Sequence, residues 1–245
     1  MALVHEFEAS GNWLFKRRGW LPGFLLIAGI IMMYLVNRQA ILFDLRDEMI
    51  FLGVSLFGQV IRIMTVGFAP KNTSGRNTTA GQIADELNVT GMYSIVRHPV
   101  YLGNFFMILG PILFIRSAWF VVVTCLVYWL YYERIMFAEE QFLRRKFGDL
   151  YDKWSETVGA FIPMFRKFVP PKLSFSLRSV LKREYQTLFT IIFIFTLFDL
   201  CRNFFITEKI YLTRVWMFIF ISTAGFWIVI RLIHKHTKWL EVEGR

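Results

Sequence analysis

Apolar residues in this chain run in long blocks, neither alternating nor confined to one helical face, and charged residues separate the blocks. A helix crossing a bilayer needs about 20 mostly apolar residues. Blocks of that kind lie at roughly 20–37, 48–68, 99–115, 117–132, 187–206 and 211–233. The third and fourth are short and meet at Arg116-Ser117, which predicts a tight helical hairpin over 99–132. Between blocks, the stretch 70–91 is polar and rich in turn formers, with a short helical piece expected at Gln82–Leu87. The stretch 133–147 carries acids early, Arg144, Arg145 and Lys146 in its last turn, and Gly148 to end it, which predicts a helix. Within it Glu140 and Arg144 are spaced for an i, i+4 pair. The pattern as a whole predicts an all-α integral membrane protein of about six transmembrane helices, in a single domain over 1–245.

Composition agrees: 56% of residues are hydrophobic and 27 are phenylalanine, with a mean hydropathy of +0.46. The first apolar block follows Lys16-Arg17-Arg18, precedes Asn37-Arg38-Gln39 and lacks a small-residue cleavage pattern, so it reads as a permanent span. Cys125 and Cys201 both fall in apolar runs, with neither a disulfide framework nor metal-ligand spacing, and no metal is expected. The formal charge of +10 sits in segments bordering the spans, which points to an anionic leaflet and not to nucleic acid. Six spans would put both termini, the loop 69–98 and the loop 133–186 on one side. Most of the basic excess falls there, so that side is read as cytoplasmic. Within 164–186, basic residues interleave with Phe and Leu, as suits a segment at the headgroup layer. The three glycosylation sequons, at Asn72, Asn77 and Asn88, fall on that same side and are read as incidental.

Charges inside the blocks need partners. Arg62 lies well within the second, where burial costs about 2.5–3.5 kcal/mol, so a polar interior partner or a substrate should face it. Asp199 and Arg202 are spaced i, i+3 and are expected to pair with each other. Near the third block, Pro99 suits a first helical position. Arg97 and His98 then crowd the positive end of a helix dipole, and an anion is expected beside them. No GxGxxG follows a strand, which argues against a Rossmann cofactor site. In the loop TSGRNTT, Ser74, Arg76 and Asn77 offer groups able to grip phosphate oxygens.

The pattern Gly91-x-Tyr93-x-x-x-Arg97-His98-Pro99-x-Tyr101-x-Gly103, then Glu139-Glu140, Phe147-Gly148-x-x-Tyr151 and Pro163, resembles the isoprenylcysteine carboxyl methyltransferase and phospholipid methyltransferase superfamily over about 60–165. The resemblance implies a membrane enzyme using S-adenosylmethionine held by cytoplasmic loops and a helix. It implies catalytic roles for Arg97, His98 and Glu140, and cofactor contacts from Tyr93, Arg97, His98, Pro99, Tyr101, Gly103, Glu139, Glu140 and Tyr151. It also divides the chain into a signature core at 60–165, a basic interfacial segment at 164–186 and a C-terminal helical pair at 187–233. The chemistry is compatible: the cations suit a carboxylate, the glutamates suit an ammonium or ribose hydroxyls, and the tyrosines offer faces for adenine or the sulfonium.

The flanks GNWLF at 11–15, TSGRN at 73–77, TGMYSIVRHPVYLGN and YYERIMFAEEQFLRRKFG further resemble a bacterial branch methylating the 1-phosphate of lipid A. The expectation is O-methylation of lipid A, or another anionic lipid, at the bacterial inner membrane, with both termini cytoplasmic. Arg62, Arg76, Ser74 and Asn77 are the expected substrate contacts. The alternatives are a prenylcysteine carboxyl group or a small thiol or amine as acceptor, an NADPH-dependent membrane reductase of similar helical plan, and a non-catalytic scaffold.

Overall fold

Each of the six apolar blocks is the body of a helix. The computed structural model describes residues 2–37, 44–73, 76–78 and 81–245. In chain order its elements are α1 (Leu3–Lys16), α2 (Trp20–Asn37), α3 (Leu45–Phe68), β1 (Arg76–Thr78), β2 (Gly81–Ile83), α4 (Pro99–Phe114), α5 (Ala118–Phe147), α6 (Asp149–Thr157), α7 (Leu177–Thr207) and α8 (Arg214–His236). Helices α3, α5, α7 and α8 are long and apolar enough to cross a membrane, and α1 with α2, bent by 74°, makes a fifth candidate. The chain is thus a multi-pass membrane protein. Helix α4, at 16 residues, is about 24 Å long, short of a hydrocarbon core of about 30 Å. Four or five spans plus one short apolar helix therefore stand where six spans were expected.

Three other expectations change. Residues 82–87 form no helix: β2 pairs antiparallel with β1, placing Ile83 opposite Arg76, and the chain continues irregularly. The fourth block and the 133–147 helix are one continuous helix, α5, of 30 residues. At about 45 Å it is longer than a 30 Å core by roughly ten residues, and its charged residues gather toward the Glu139–Phe147 end. The Glu140–Arg144 pair does not form; Arg144 Nε donates to Asp152 Oδ1 at 2.7 Å, and Glu140 turns elsewhere.

Close helix approach fixes the position of α4. A Cβ on Gly58 would lie 2.4 Å from the Gly103 carbonyl oxygen, and one on Gly110 would lie 2.2 Å from Ser55 Oγ. Small residues at these crossings let backbones touch, the usual route to helix pairing in membranes. Next to the Gly103 contact, Arg62 finds its interior partners. Its Nε and Nη2 donate to Glu184 of α7 at 2.9 and 2.7 Å, and its Nη1 donates to Asn104 at 2.6 Å. Arg62 is thus matched by a carboxylate 122 residues away in sequence.

The polar segments gather at one end of the bundle. Ala84 and Leu87 of the loop after β2 pack with Tyr93, Leu143, Tyr151 and Trp154. Glu8 pairs with Arg145 at 2.6 Å, Ser176 N donates to the Gly67 carbonyl at 2.9 Å, and Arg245 reaches the same carbonyl at 2.8 Å. The opposite end is closed by a buried network. Arg202 pairs with Asp199, as expected, and also with Glu48. Thr213 N donates to Asp199 Oδ2 at 2.8 Å, and Trp216 Nε1 to Glu48 Oε2 at 2.6 Å.

Candidate active site

The backbone just ahead of α4 is held from outside the helix. Arg97 N and His98 N donate to the carbonyls of Gly159 and Ala160 at 2.9 and 3.2 Å, and Met164 N donates back to the Ile95 carbonyl at 2.7 Å. Gly91 occupies a left-handed conformation, φ +59°, open to glycine at little cost, and its N–H donates to the Val169 carbonyl. The segment leading into α4 is thereby bound to the chain after α6. That contact brings residues 91–101 against the last turns of α5.

Pro99 opens α4, as the sequence predicts. Across from it, Glu140 Oε1 lies 3.0 Å from Arg97 Nε and 2.9 Å from His98 Nε2. Glu139, buried behind it, accepts from the Tyr101 hydroxyl at 3.1 Å and lies 3.7 Å from His98 Nδ1. Arg97 Nη1 also donates to the Ser155 carbonyl at 2.7 Å. Tyr101 stacks near His98, with ring centroids 5.6 Å apart, and its own carbonyl accepts from Tyr128 at 2.6 Å. On the far wall Trp154 Nε1 donates to the Tyr93 carbonyl at 3.2 Å, and its ring meets Tyr151 edge-on.

These groups enclose a cleft of about 40 Å³, lined by Tyr93, Arg97, His98, Glu139, Glu140 and Tyr151 among others. Tyr151 is 0% exposed, and its hydroxyl lies within interacting reach of the Glu140 carboxylate without making a hydrogen bond of full geometry. Burial, then the Glu140 carboxylate, pushes its phenol well above the usual value, so it stays a neutral donor. A buried hydroxyl left unpaired costs about 1–3 kcal/mol, so one held at poor geometry beside Glu140 has capacity left for a ligand atom.

Of the residues picked out from the sequence, Tyr93, Arg97, His98, Pro99, Tyr101, Glu139, Glu140 and Tyr151 meet around this cleft. Gly103 does not; its missing Cβ faces Arg62 and Gly58 at the α3–α4 crossing. Arg62 is committed to Glu184 and Asn104. Ser74 lies outside the described residues, and Arg76 and Asn77 are placed only as backbone, in β1. Sequence reasoning missed Trp154 and the Ser155 carbonyl; the i, i+3 spacing of Tyr151 and Trp154 on α6 was the available signal for the first.

The cleft fits the charges of S-adenosylmethionine. Arg97 and His98 suit its carboxylate, Glu139 and Glu140 suit its ammonium or ribose hydroxyls, and the Tyr151 hydroxyl has capacity left for an acceptor. At its present volume the walls must part to admit a nucleoside.

Residues 49–150 match the model of a family described as phospholipid methyltransferase. The chain is 31% identical over 114 residues to a protein-S-isoprenylcysteine O-methyltransferase of Schizosaccharomyces pombe, covering 46% of this chain and 48% of that protein. It is 30% identical over 108 residues to the protein of the same name in Saccharomyces cerevisiae, covering 44% and 45%. A nickel-cobalt-cadmium resistance protein, NccN, of Alcaligenes xylosoxydans xylosoxydans is 27% identical over 145 residues, covering 58% and 64%. The chain spans about half the length of these methyltransferases. No solved structure matches it.

Proposed function

We propose that this protein, whose site-bearing segment matches the phospholipid methyltransferase family, is an S-adenosylmethionine-dependent membrane O-methyltransferase acting on an acidic oxygen of a lipid or lipidated acceptor. The observation that carries the reading is the Arg97–His98–Glu140 contact, which joins two stretches more than 40 residues apart beside the buried Tyr151 phenol. S-adenosylmethionine supplies, when bound, the electrophilic methyl group on its sulfonium. Arg97 and His98 would hold its carboxylate, Glu139 and Glu140 its ammonium or ribose, and Tyr151 would donate one further hydrogen bond. Tyr93 and Tyr101 would frame the aromatic and sulfonium parts.

An anionic acceptor oxygen needs no general base. The residues therefore act by positioning, which can supply much of the barrier reduction when reacting atoms sit about 3–3.5 Å apart. Water is kept out by the buried pairing of Glu139 with Tyr101 and by the Tyr151–Trp154 wall. The site end is assigned to the cytoplasmic side of a bacterial inner membrane, with both termini there, since the polar loops and most basic residues collect at that end.

For the acceptor, a lipid A phosphate follows from the resemblance of the 73–77 loop and its neighbours. A prenylcysteine carboxylate is the second reading, favoured by the names of the fungal relatives. Thermal unfolding of purified protein tests the donor: S-adenosylhomocysteine should raise the melting temperature and NADPH should not, and the reverse result would make the protein a reductase. Mass spectrometry of total lipids with and without the gene tests the acceptor. Lipid A heavier by one methylene is expected, and its absence alongside methylation of a supplied prenylcysteine would transfer the assignment to the carboxylate.

A further inference from the structure

The chain after α6 reads FIPMFRKFVPPK over 161–172, large apolar side chains interleaved with cations. Its backbone is tied to the segment that carries Arg97 and His98. To the four hydrogen bonds already given between 91–98 and 159–169, Val169 N adds a fifth, donated to Ser94 Oγ at 2.9 Å. The two segments run antiparallel, with Gly91 against Val169 and Arg97 against Gly159. A tight turn lies between them and the solvent side: a Cβ on Gly159 would come within 2.7 Å of the Ile162 carbonyl.

The side chains of this segment are left uncovered. Ile162 is 78% exposed and Phe165 74%, and Met164, Phe168 and Val169 are exposed beside them. Such a run of large apolar side chains marks a membrane or protein contact. Two observations select the membrane. Phe161, in the same segment, packs on the rings of Trp129 and Phe105 at 5.3 and 5.9 Å. Trp129 belongs to the apolar stretch of α5, about 15 Å before Glu139 and flanked by the exposed Leu126 and Leu130. The segment thus continues a helix surface that lipid covers. Arg166, Lys167 and Lys172 are also exposed along it, and Lys167 Nζ donates to the Thr157 carbonyl at 2.7 Å. Cations beside apolar anchors suit an anionic leaflet.

We propose that 161–169 is a foot standing in the headgroup layer of an anionic membrane, with Ile162, Phe165 and Phe168 inserted and Arg166 against the phosphates, and that this contact steadies the Arg97–His98 backbone. Apart from one short turn, Phe165–Lys167, the foot has no regular structure of its own. Lipid on one side and the 91–98 backbone on the other therefore fix its place. Without the lipid, an uncovered apolar segment is the support on which Arg97 N and His98 N rest. Only the consequence for S-adenosylmethionine affinity rests on the methyltransferase reading; the lipid contact stands without it.

The full chain in nanodiscs, of phosphatidylcholine alone or with about one third phosphatidylglycerol, tests this. A nitroxide on Phe165→Cys, in a chain carrying Cys125→Ala and Cys201→Ala, should be reached by oxygen and hidden from a water-soluble nickel chelate. The same label on Lys153→Cys should show the reverse. Hydrogen exchange at the Arg97, His98 and Met164 amides should be at least fivefold slower in the anionic discs, and S-adenosylhomocysteine should bind at least fivefold tighter there. Phe165→Ser with Phe168→Ser should abolish both differences. Arg166→Gln should at least halve them and Arg166→Lys should keep them. Lys209→Gln, which removes an exposed cation at the opposite end, should behave like wild type. A label at 165 open to nickel, a label hidden from both reagents by a second copy or another protein, or equal exchange in the two discs would each overturn the proposal. Absence of S-adenosylhomocysteine binding in both discs would instead sink the methyltransferase reading, with label and exchange still deciding the foot.

Discussion

Replacing Tyr151 by phenylalanine should move stability and ligand affinity in opposite directions. The side chain is fully buried beside Glu140 and Trp154, and its hydroxyl meets Glu140 without a hydrogen bond of full geometry. Phenylalanine keeps the ring and removes only the oxygen, relieving part of a penalty of about 1–3 kcal/mol. Taking about 1 kcal/mol as the gain, and about 2–4 °C per kcal/mol for a chain of this size, the ligand-free protein should melt about 2–4 °C higher. With ligand present the same oxygen would donate to a charged acceptor, a bond worth about 1.5–3 kcal/mol. Its loss should weaken S-adenosylhomocysteine binding about 10- to 150-fold, at 1.4 kcal/mol per decade. Calorimetry gives the affinity, and thermal unfolding with and without ligand gives both signs. A variant that melts lower and binds as before would show that Tyr151 serves packing alone, and the argument from the buried phenol would fail.

Glu140→Gln and His98→Ala should each cut methyl incorporation more than 100-fold, and Glu140→Gln should shift the melting temperature little because Glu140 is partly exposed; near wild-type turnover would remove them from the site. 5′-Methylthioadenosine, which lacks the amino-acid end, should bind at least tenfold more weakly than S-adenosylhomocysteine, a comparison open to the same calorimetry. Glu184→Ala should destabilise by about 3–5 kcal/mol by stranding Arg62, and Arg62→Met with Glu184→Leu should recover most of it in denaturation experiments. Gly58→Ala should cost about 1–3 kcal/mol and reduce activity by displacing α4, since its Cβ would meet the Gly103 carbonyl, whereas Gly53→Ala, with nothing within 4 Å, should be neutral.

Apolar length and helix punctuation made the spans legible in the sequence, and the Pro99 helix start and the Gly148 stop fall where residue chemistry puts them. What escaped was set by partners distant along the chain. Helix α1 has no side-chain cap and carries Gly11 at its middle, so nothing local announces it. Its reason lies across the interface, where a Cβ on Gly11 would come within 2.1 Å of the Arg134 carbonyl. Glu140 had a plausible helix partner in Arg144, but an exposed i, i+4 pair is worth only about 0.2–0.5 kcal/mol. The partly buried contacts to Arg97 and His98 outcompete it. Arg62 announced that it needed a partner without indicating which one, because helical periodicity says nothing of a residue on α7. The pairing of 76–78 with 81–83 was missed for a related reason: three-residue strands carry too little alternation to register.

The self-pairing of the cleft would favour a doubly charged ligand. Arg97 and His98 face two glutamates across a space of about 40 Å³. A ligand bearing only a carboxylate would satisfy Arg97 and His98 but leave the glutamates competing with it. A ligand bearing only an ammonium would do the converse. An amino-acid end supplies both charges at once, so each protein group exchanges an internal partner for a ligand partner and no charge is stranded in a desolvated place. The cost of parting the walls then falls on any ligand, but only a zwitterion offsets it from both sides. That asymmetry would let a site at the start of α4 distinguish the proposed donor from singly charged headgroups.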